Sequence, residues 1–301
     1  MAMQLVGIFF NVITPVFTLV AIGYFAGPPL GLNARTLSRF AYFILIPAFV
    51  FEIIRTTHIQ ATDVVRMTVF ITAVHLGLIV LGLAIALLLR RSPKMVAAYI
   101  LIAVFGNVGN FGLPLIEFRL GKDAIPVATV YFLVIMTVSF VVGVVVANWQ
   151  HGSFKAVLTV FKTPALLALV PAFVVNLFDI QLPLTFTRST GLLAGAMIPT
   201  MLVALGVQLA GMKSFRFSSD VIISSAVRLL GGALLAVLLA MPFGVTGVAR
   251  GAGIFQSAMP AAVLTSIIAI EYDLLPDFVT TTVLFSTLAS AVTLTLVMGL
   301  V

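Results

Sequence analysis

The chain has 301 residues, of which 62% are hydrophobic and 8% are charged, and its mean hydropathy is +1.26. This composition indicates an integral membrane protein and excludes a separate soluble domain, because no polar stretch approaches the ~50 residues that an independent core needs. The net charge of +7 is better explained by basic cytoplasmic loops than by a nucleic acid partner, and the absence of cysteine excludes disulfides and thiolate metal sites.

Long runs of low charge predict ten transmembrane helices, because about 20 apolar residues in a helix cross the hydrocarbon core of a bilayer. The first 34 residues carry no side-chain charge, so we expect the first run to be retained rather than cleaved as a secretory signal. The second run is the shortest of the ten. The predicted segments are approximately 3–26, 36–54, 67–89, 95–118, 125–148, 156–178, 189–211, 219–240, 248–270 and 278–300.

The loop charges predict the orientation of these helices. With the N-terminus outside, nine of the Lys and Arg residues in loops fall on the cytoplasmic side and six on the outer side. The cluster Arg90-Arg91-Ser92-Pro93-Lys94 contributes most of this difference. Because basic residues favour cytoplasmic loops, both termini are predicted to lie outside.

Weak internal similarity divides the chain into two halves. Three short matches recur in the same order, at offsets of 153, 152 and 146 residues. They are Ala73-Val74-His75-Leu76 with Ala226-Val227-Arg228-Leu229, Ile46-Pro47 with Ile198-Pro199, and Pro114 with Pro260. We predict an all-α membrane fold of two five-helix repeats, residues 1–148 and 149–301. Because five is odd, the second repeat enters the membrane from the opposite face and is inverted.

The fourth segment contains a stretch, Val104–Pro114, that is poorly suited to a helix. Each of its three glycines costs up to about 1 kcal/mol relative to alanine, and a proline in a helix interior costs about 3 kcal/mol. Non-helical backbone at bilayer depth must be buried in protein or line a cavity. Pro260 marks a similar place in the ninth segment, and paired interruptions indicate the substrate site of an inverted-repeat transporter. The alternative is a kink with a small-residue packing groove.

The two interruptions predict an anion site near the bilayer midplane. If each segment breaks just before its proline, Pro114 and Pro260 take the first position of a new half-helix. Two helix N-termini then face a common point and attract an anion such as a carboxylate. The polar side chains nearby bind the substrate, or else form interhelical hydrogen bonds. The predicted substrate-binding residues are Asn107, Asn110, Pro114, Gln256, Ser257 and Pro260.

Arg228 and His75 are ionisable residues inside predicted helices, and such residues indicate function because their burial is costly. Arg228 is predicted to counter-charge an anionic substrate, to sit against the carbonyl end of a broken half-helix, or to extend toward one membrane surface. His75 is either a carrier of a coupling proton or a hydrogen-bonded structural residue. No carboxylate marks a proton relay at the midplane, so coupling to H⁺, to Na⁺ or to neither stays open.

These motifs resemble the auxin efflux carrier family, which includes plant PIN carriers and bacterial dicarboxylate permeases. The resemblance rests on Gly106–Pro114, on Ile198-Pro199 leading to Leu205-Gly206, and on Ala258–Ala262 through Glu271-Tyr272. It implies ten helices in two inverted repeats, with broken crossover helices 4 and 9 at the substrate site. It also implies that a transport domain of helices 3–5 and 8–10 moves as an elevator against a scaffold of helices 1, 2, 6 and 7, often in a homodimer.

The resulting functional hypothesis is a secondary active transporter of a small organic anion in the cell inner membrane. The short loop between the fifth and sixth segments favours a prokaryotic carrier of malate, malonate or an auxin-like acid. An anion channel or uniporter with the same fold is the alternative, although the polar side chains cluster at one depth instead of forming a continuous pore. An enzyme is not expected, because no nucleophile-and-base pair or metal-ligand spacing is recognisable, and we expect no cofactor.

Overall fold

The structure is a computed structural model that describes residues 2–56, 60–147, 164–211 and 216–301. All its regular elements are helices, which we number α1 to α10 by their position in the chain. Helices α4 and α9 are each interrupted and are divided into a and b parts. The helices are α1 (Met3–Ala26), α2 (Ala34–Thr56), α3 (Ala61–Leu88), α4a (Pro93–Val104), α4b (a π-helical turn Val108–Gly112 followed by Leu113–Leu120), α5 (Ile125–Ala147), α6 (Pro164–Leu177), α7 (Leu184–Ala210), α8 (Ser219–Ala240), α9a (Gly247–Ser257), α9b (Val263–Glu271) and α10 (Pro276–Leu300).

Seven helices in the described part of the chain are long and apolar enough to span a membrane. They are α1, α2, α3, α5, α7, α8 and α10, whereas α4a and α6 are shorter apolar helices. The protein is therefore a multi-pass membrane protein. A helical element lies within each predicted segment, but the inverted arrangement of ten spans stays a prediction, and the predicted loop at 148–162 falls outside the described residues.

Three of the predicted segments are too short. Helix α2 covers 23 residues, α3 begins at Ala61 instead of residue 67, and α7 begins at Leu184 instead of residue 189. Polar caps explain where several helices start: Asn33 Oδ1 accepts a hydrogen bond from the Thr36 amide at 3.0 Å, and Ser92 caps α4a just before Pro93. Charged residues near a helix start do not stop the helix. A predicted segment that begins at the nearest charge is therefore too short.

Helices α1 and α7 pack so closely that their backbones touch. A Cβ atom added to Gly206 would lie 2.0 Å from the Val20 carbonyl oxygen, and one added to Gly23 would lie 2.1 Å from the Val203 carbonyl oxygen. Helix α2 packs against both α7 and α6. The Asn176 side chain of α6 also donates to the Arg55 carbonyl of α2 at 3.2 Å. These four helices form one contiguous group.

A second group contains α3, α4a, α5, α8, α9 and α10, which contact one another extensively. Polar contacts at one end connect the α3–α4a loop to α8: Arg91 Nε lies 2.9 Å from Asp220 Oδ1, and the Tyr99 hydroxyl donates to the same oxygen at 2.7 Å. The Lys94 ammonium pairs with Asp273, which follows α9b. The group is therefore connected between the two halves of the chain and not only within each half.

Four helices in the described part of the chain contain a π-helical turn, an uncommon feature that is frequent at functional sites. Three of these turns, in α2, α4b and α8, carry residues of the site described below, and the fourth lies in α1. The turns are Phe9–Ile13, Ala41–Leu45, Val108–Gly112 and Val227–Gly231.

Candidate functional site

The two interruptions meet in the core of the protein. Residues 105–107 separate α4a from α4b, and residues 258–262 separate α9a from α9b. Gly106 and Ala261 form an antiparallel bridge. The Asn107 amide donates to the Pro260 carbonyl at 2.7 Å, and the Ala262 amide donates to the Phe105 carbonyl at 2.8 Å. The unwound segments thus satisfy each other's backbone groups, as buried non-helical backbone at bilayer depth requires.

Arg228 lies behind this crossing and is completely buried. Its guanidinium donates to the Ala103 carbonyl at 2.6 Å, to the Met259 and Ser257 carbonyls at 2.8 Å each, and at 3.4 Å to the Gln256 carbonyl. These oxygens belong to the C-terminal ends of α4a and α9a, where the helix dipoles are negative. Arg228 therefore takes the predicted place at the carbonyl ends of the half-helices. Because Arg228 is completely buried, it does not extend to a membrane surface, and its role as a counter-charge for an anionic substrate stays a prediction.

Gly106 is required by the close approach of Arg228. A Cβ atom at this position would lie 2.8 Å from Nη2 and 3.1 Å from Cζ of the guanidinium. The π-helical turn Val227–Gly231 in α8 sets the direction of the arginine side chain toward the crossing. A fixed positive charge is thereby placed directly behind the unwound backbone of α4.

A cavity of about 150 Å³ lies on the crossing and is bordered by the N-terminal ends of both second half-helices. The first backbone N–H groups of a helix have no partner within the helix and carry the positive end of its dipole. Asn107 also borders the cavity, is 4% exposed, and has no partner for its Nδ2 among the described residues. The residues around the cavity are Tyr42, Ile46, Phe105, Gly106, Asn107, Val108, Gly109, Asn110, Phe132, Ile135, Met136, Ser139, Phe140, Met201, Gln208, Ala262, Val263 and Leu264.

Asn107 and Asn110 are the predicted site residues that border the cavity. Asn110 lies in the π-helical turn that begins α4b, within the first turn after the break. Gln256 and Ser257 instead occupy the last turn of α9a, and neither borders the cavity. The Gln256 side chain donates weakly to the Ala128 carbonyl at 3.4 Å, and the Ser257 hydroxyl donates to the Gly253 carbonyl at 2.8 Å. Their role in substrate binding stays a prediction.

The prediction that both prolines begin the new half-helices is wrong. In the fourth span the break lies at 105–107, and helical structure resumes at Val108, so Pro114 falls inside α4b. Pro260 lies within the second break, two residues before Ala262, which is the N-cap of α9b. Its carbonyl accepts the Asn107 amide, so Pro260 contributes a backbone oxygen to the crossing. Neither proline borders the cavity.

Sequence reasoning missed three polar residues that border the cavity: Tyr42, Ser139 and Gln208. Tyr42 lies in the π-helical turn of α2, and Gln208 lies in the last turn of α7. The Ser139 hydroxyl of α5 donates to the Val104 carbonyl at 2.8 Å and so caps the end of α4a. The sequence did contain a signal for Gln208: it is an isolated amide in an apolar segment, close to Leu205-Gly206, which is part of the family resemblance.

His75 is completely buried in α3 and does not border the cavity. Its Nδ1 lies 2.9 Å from the Ile71 carbonyl oxygen of its own helix, and therefore carries a hydrogen. Its Nε2 has no partner in the described ranges. The choice between a structural histidine and a carrier of a coupling proton stays a prediction.

An apolar helical chain with two interrupted helices around a small cavity fits a membrane protein of the transporter class. The family model described as "Membrane transport protein" matches residues 8–152 and 150–298. These matches cover most of the chain, which belongs to this family, the auxin efflux carrier family.

Similar proteins carry transporter names. An uncharacterized transporter of Methanocaldococcus jannaschii is 22% identical over 278 residues, which are 88% of this chain and 89% of that protein. A Rhizobium meliloti protein named "Putative malonate transporter" is 24% identical over 301 residues, which are 95% of this chain and 93% of that protein. An uncharacterized transporter of Methanothermobacter thermautotrophicus is 27% identical over 201 residues, 64% of each chain. The description of the family and the names of these relatives are those of transporters.

Proposed function

We propose that this protein is a secondary active transporter of a small carboxylate, which binds in the cavity at the crossing of α4 and α9. The observation that carries the proposal is that two helix N-termini border the same cavity as Asn107, whose Nδ2 has no hydrogen-bond partner among the described residues. Helix N-termini bind anions through their free N–H groups and dipoles. Arg228 adds a positive charge behind the crossing, and its donors are already used by carbonyl groups.

The size of the cavity favours a compact substrate. A volume of about 150 Å³ is well below the ~300–1,000 Å³ that is usual for drug-sized ligands. A three- or four-carbon acid fits this range better than an aromatic acid does. The name of the Rhizobium meliloti relative makes malonate the first compound to test. An auxin-like acid would require the cavity to widen.

The position of the cavity supports alternating access between two bodies. Tyr42, Ile46, Met201 and Gln208 approach it from α2 and α7, whereas its remaining residues belong to α4, α5 and α9. We propose that the first body, α1, α2, α6 and α7, is a scaffold and that α3–α5 with α8–α10 form the moving transport domain of an inverted-repeat elevator. Displacement of one body against the other would open the cavity to each side in turn.

The same proposal places the protein in the cell inner membrane with both termini outside, as the loop charges favour. A homodimer and coupling to H⁺ or Na⁺ belong to the proposal as well. None of the described residues around the cavity is acidic. Transport measured with imposed proton and sodium gradients separates these modes.

Uptake into proteoliposomes tests the transport function directly. Purified protein is reconstituted and loaded with unlabelled malonate, malate or indole-acetate, and entry of the same labelled acid is followed. We expect counterflow of at least one of the small dicarboxylates, with slower or no counterflow of indole-acetate. Folded protein that exchanges none of them would contradict the proposal. Single-channel currents in planar bilayers would support the channel alternative instead.

A further inference from the structure

Gly112 is the last residue of the π-helical turn that begins α4b, and it lies directly against the side chain of Gln256. A Cβ atom at position 112 would lie 2.3 Å from Oε1 and 3.1 Å from Cδ of this glutamine. Both distances are shorter than van der Waals contact. The amide group of α9a therefore occupies the space that any side chain at position 112 would need.

The contact between Gln256 and Gly112 depends on shape and not on a hydrogen bond. The Gly112 amide already donates to the Asn107 carbonyl at 3.0 Å, and Gln256 Oε1 has no hydrogen-bond partner in the described ranges. Gln256 Nε2 points to a third helix, because it donates weakly to the Ala128 carbonyl of α5 at 3.4 Å. Gln256 is completely buried, so its amide cannot turn into solvent to make room for a larger residue.

The turn that Gln256 contacts carries part of the candidate site. Asn110 lies two residues before Gly112 in this turn and borders the cavity. At Gly109 of the same turn, a Cβ atom would lie 2.9 Å from Cε2 of Phe132, a residue of α5 that also borders the cavity. The turn is therefore in close contact with α5 at one glycine and with α9a at the other. A shift at either contact would move Asn110.

We propose that Gln256 is a positioning residue whose side chain sets the place of the first turn of α4b, and with it Asn110 and the free N–H groups of this turn. The inference rests on the proposed anion site. Gln256 acts on the substrate through α4b and does not touch it. Because hydrogen bonds depend steeply on distance and angle, a displacement of about 1 Å is enough to weaken a site made of oriented donors.

Moving one carbon atom between the two residues tests this contact. Gly112→Ala adds a methyl group where the glutamine lies, and Gln256→Asn removes a methylene group from the same place. Each single variant should weaken malonate binding about tenfold, the first through overpacking and the second through the gap that it leaves. The double variant conserves the total volume and should bind malonate within about threefold of the wild-type protein.

Gln256→Met separates the shape of the side chain from its amide chemistry. Methionine is unbranched and close to glutamine in length, but it offers no amide to a substrate. We expect this variant to retain malonate affinity within about threefold, because the contact with Gly112 is kept. A direct contact between the amide and the substrate would instead produce a large loss in Gln256→Met and no recovery in the double variant.

Dissociation constants for malonate come from ligand-induced thermal stabilisation of the full-length protein in detergent, and uptake in proteoliposomes provides a second readout. Two substitutions are matched controls. Gly191 has no neighbour within 4 Å of an added Cβ atom, and Gln181 is an exposed glutamine outside the helices. Gly191→Ala and Gln181→Met should both bind malonate as the wild-type protein does.

The results distinguish this inference from the proposed function. If the wild-type protein binds neither malonate nor malate, the proposed anion site is wrong and the inference falls with it. If the wild-type protein binds malonate and the double variant binds it no better than the weaker single variant, the positioning role is wrong while the anion site stands. If Gly112→Ala does not fold, equal losses in Gln256→Asn and Gln256→Met overturn the inference, and a loss in Gln256→Asn alone supports it.

Discussion

Replacement of Arg228 by methionine should destabilise the crossing of the two interrupted helices. Methionine donates no hydrogen bond, so the carbonyl oxygens of Ala103, Ser257 and Met259 lose bonds of 2.6, 2.8 and 2.8 Å. Each buried carbonyl without a partner costs about 1–3 kcal/mol, which amounts to roughly 3–9 kcal/mol for three. Removal of the buried cation offsets several kcal/mol of this loss. We therefore expect a net decrease of about 2–5 kcal/mol in the free energy of unfolding.

Thermal unfolding in detergent measures this effect. A loss of this size should lower the melting temperature by roughly 5 °C or more. Arg228→Lys should fall between wild type and Arg228→Met, because an ammonium keeps the charge but lacks the planar fork that reaches several carbonyls. Arg216→Met is the matched control: its side chain is 83% exposed, and a surface change of this kind should alter stability by less than about 0.5 kcal/mol.

The same variants test the electrostatic role of Arg228. Malonate should bind more weakly to Arg228→Met than to Arg228→Lys, because only the second keeps a positive charge behind the crossing. The reasoning is refuted if Arg228→Met has the melting temperature of the wild-type protein while the Arg216→Met control is also unchanged. That result would mean that the carbonyl groups find other hydrogen-bond partners. Equal malonate affinity in the two Arg228 variants would show that the positive charge behind the crossing does not contribute to anion binding.

Three further substitutions test the site and its support. Asn110→Ala should reduce uptake at least tenfold with little change in melting temperature; equal losses in both would make the asparagine structural. Gly206→Ala should lower the melting temperature, because its Cβ would lie 2.0 Å from the Val20 carbonyl oxygen, whereas Gly195→Ala has no neighbour within 4 Å and should not. Gly106→Ala should reduce both stability and uptake, because the unwound backbone must shift away from the guanidinium, and uptake at the wild-type rate would contradict this geometry.

The sequence predicted the two interrupted helices because glycine and proline disrupt helices through local backbone chemistry. The sequence comparison paired the wrong residues of the two interruptions. Pro114 and Pro260 match at an offset of 146 residues, but the bridge between Gly106 and Ala261 corresponds to an offset of 155. That value is close to the 153 of the His75 and Arg228 match. The prolines are therefore not equivalent positions, and the breaks follow the longer offset.

The positions of the breaks explain why only part of the predicted site borders the cavity. A break creates a C-terminal end with free carbonyls before it and an N-terminal end with free N–H groups after it. Asn107 and Asn110 lie at the start of α4b, where an anion is favoured. Gln256 and Ser257 precede their break, at the carbonyl end that Arg228 occupies.

Polarity alone could not separate these two groups, because both are amide or hydroxyl side chains beside a glycine-rich interruption. Their order relative to the break decides whether the neighbouring backbone attracts an anion or a cation. Gln208 was missed for a different reason: α7 carries no interruption, and an isolated amide in an apolar helix does not by itself indicate contact with the cavity, which depends on tertiary packing. An interrupted span thus indicates a candidate site in sequence, while other residues that border the same cavity come from intact helices and are recognised only in the folded structure.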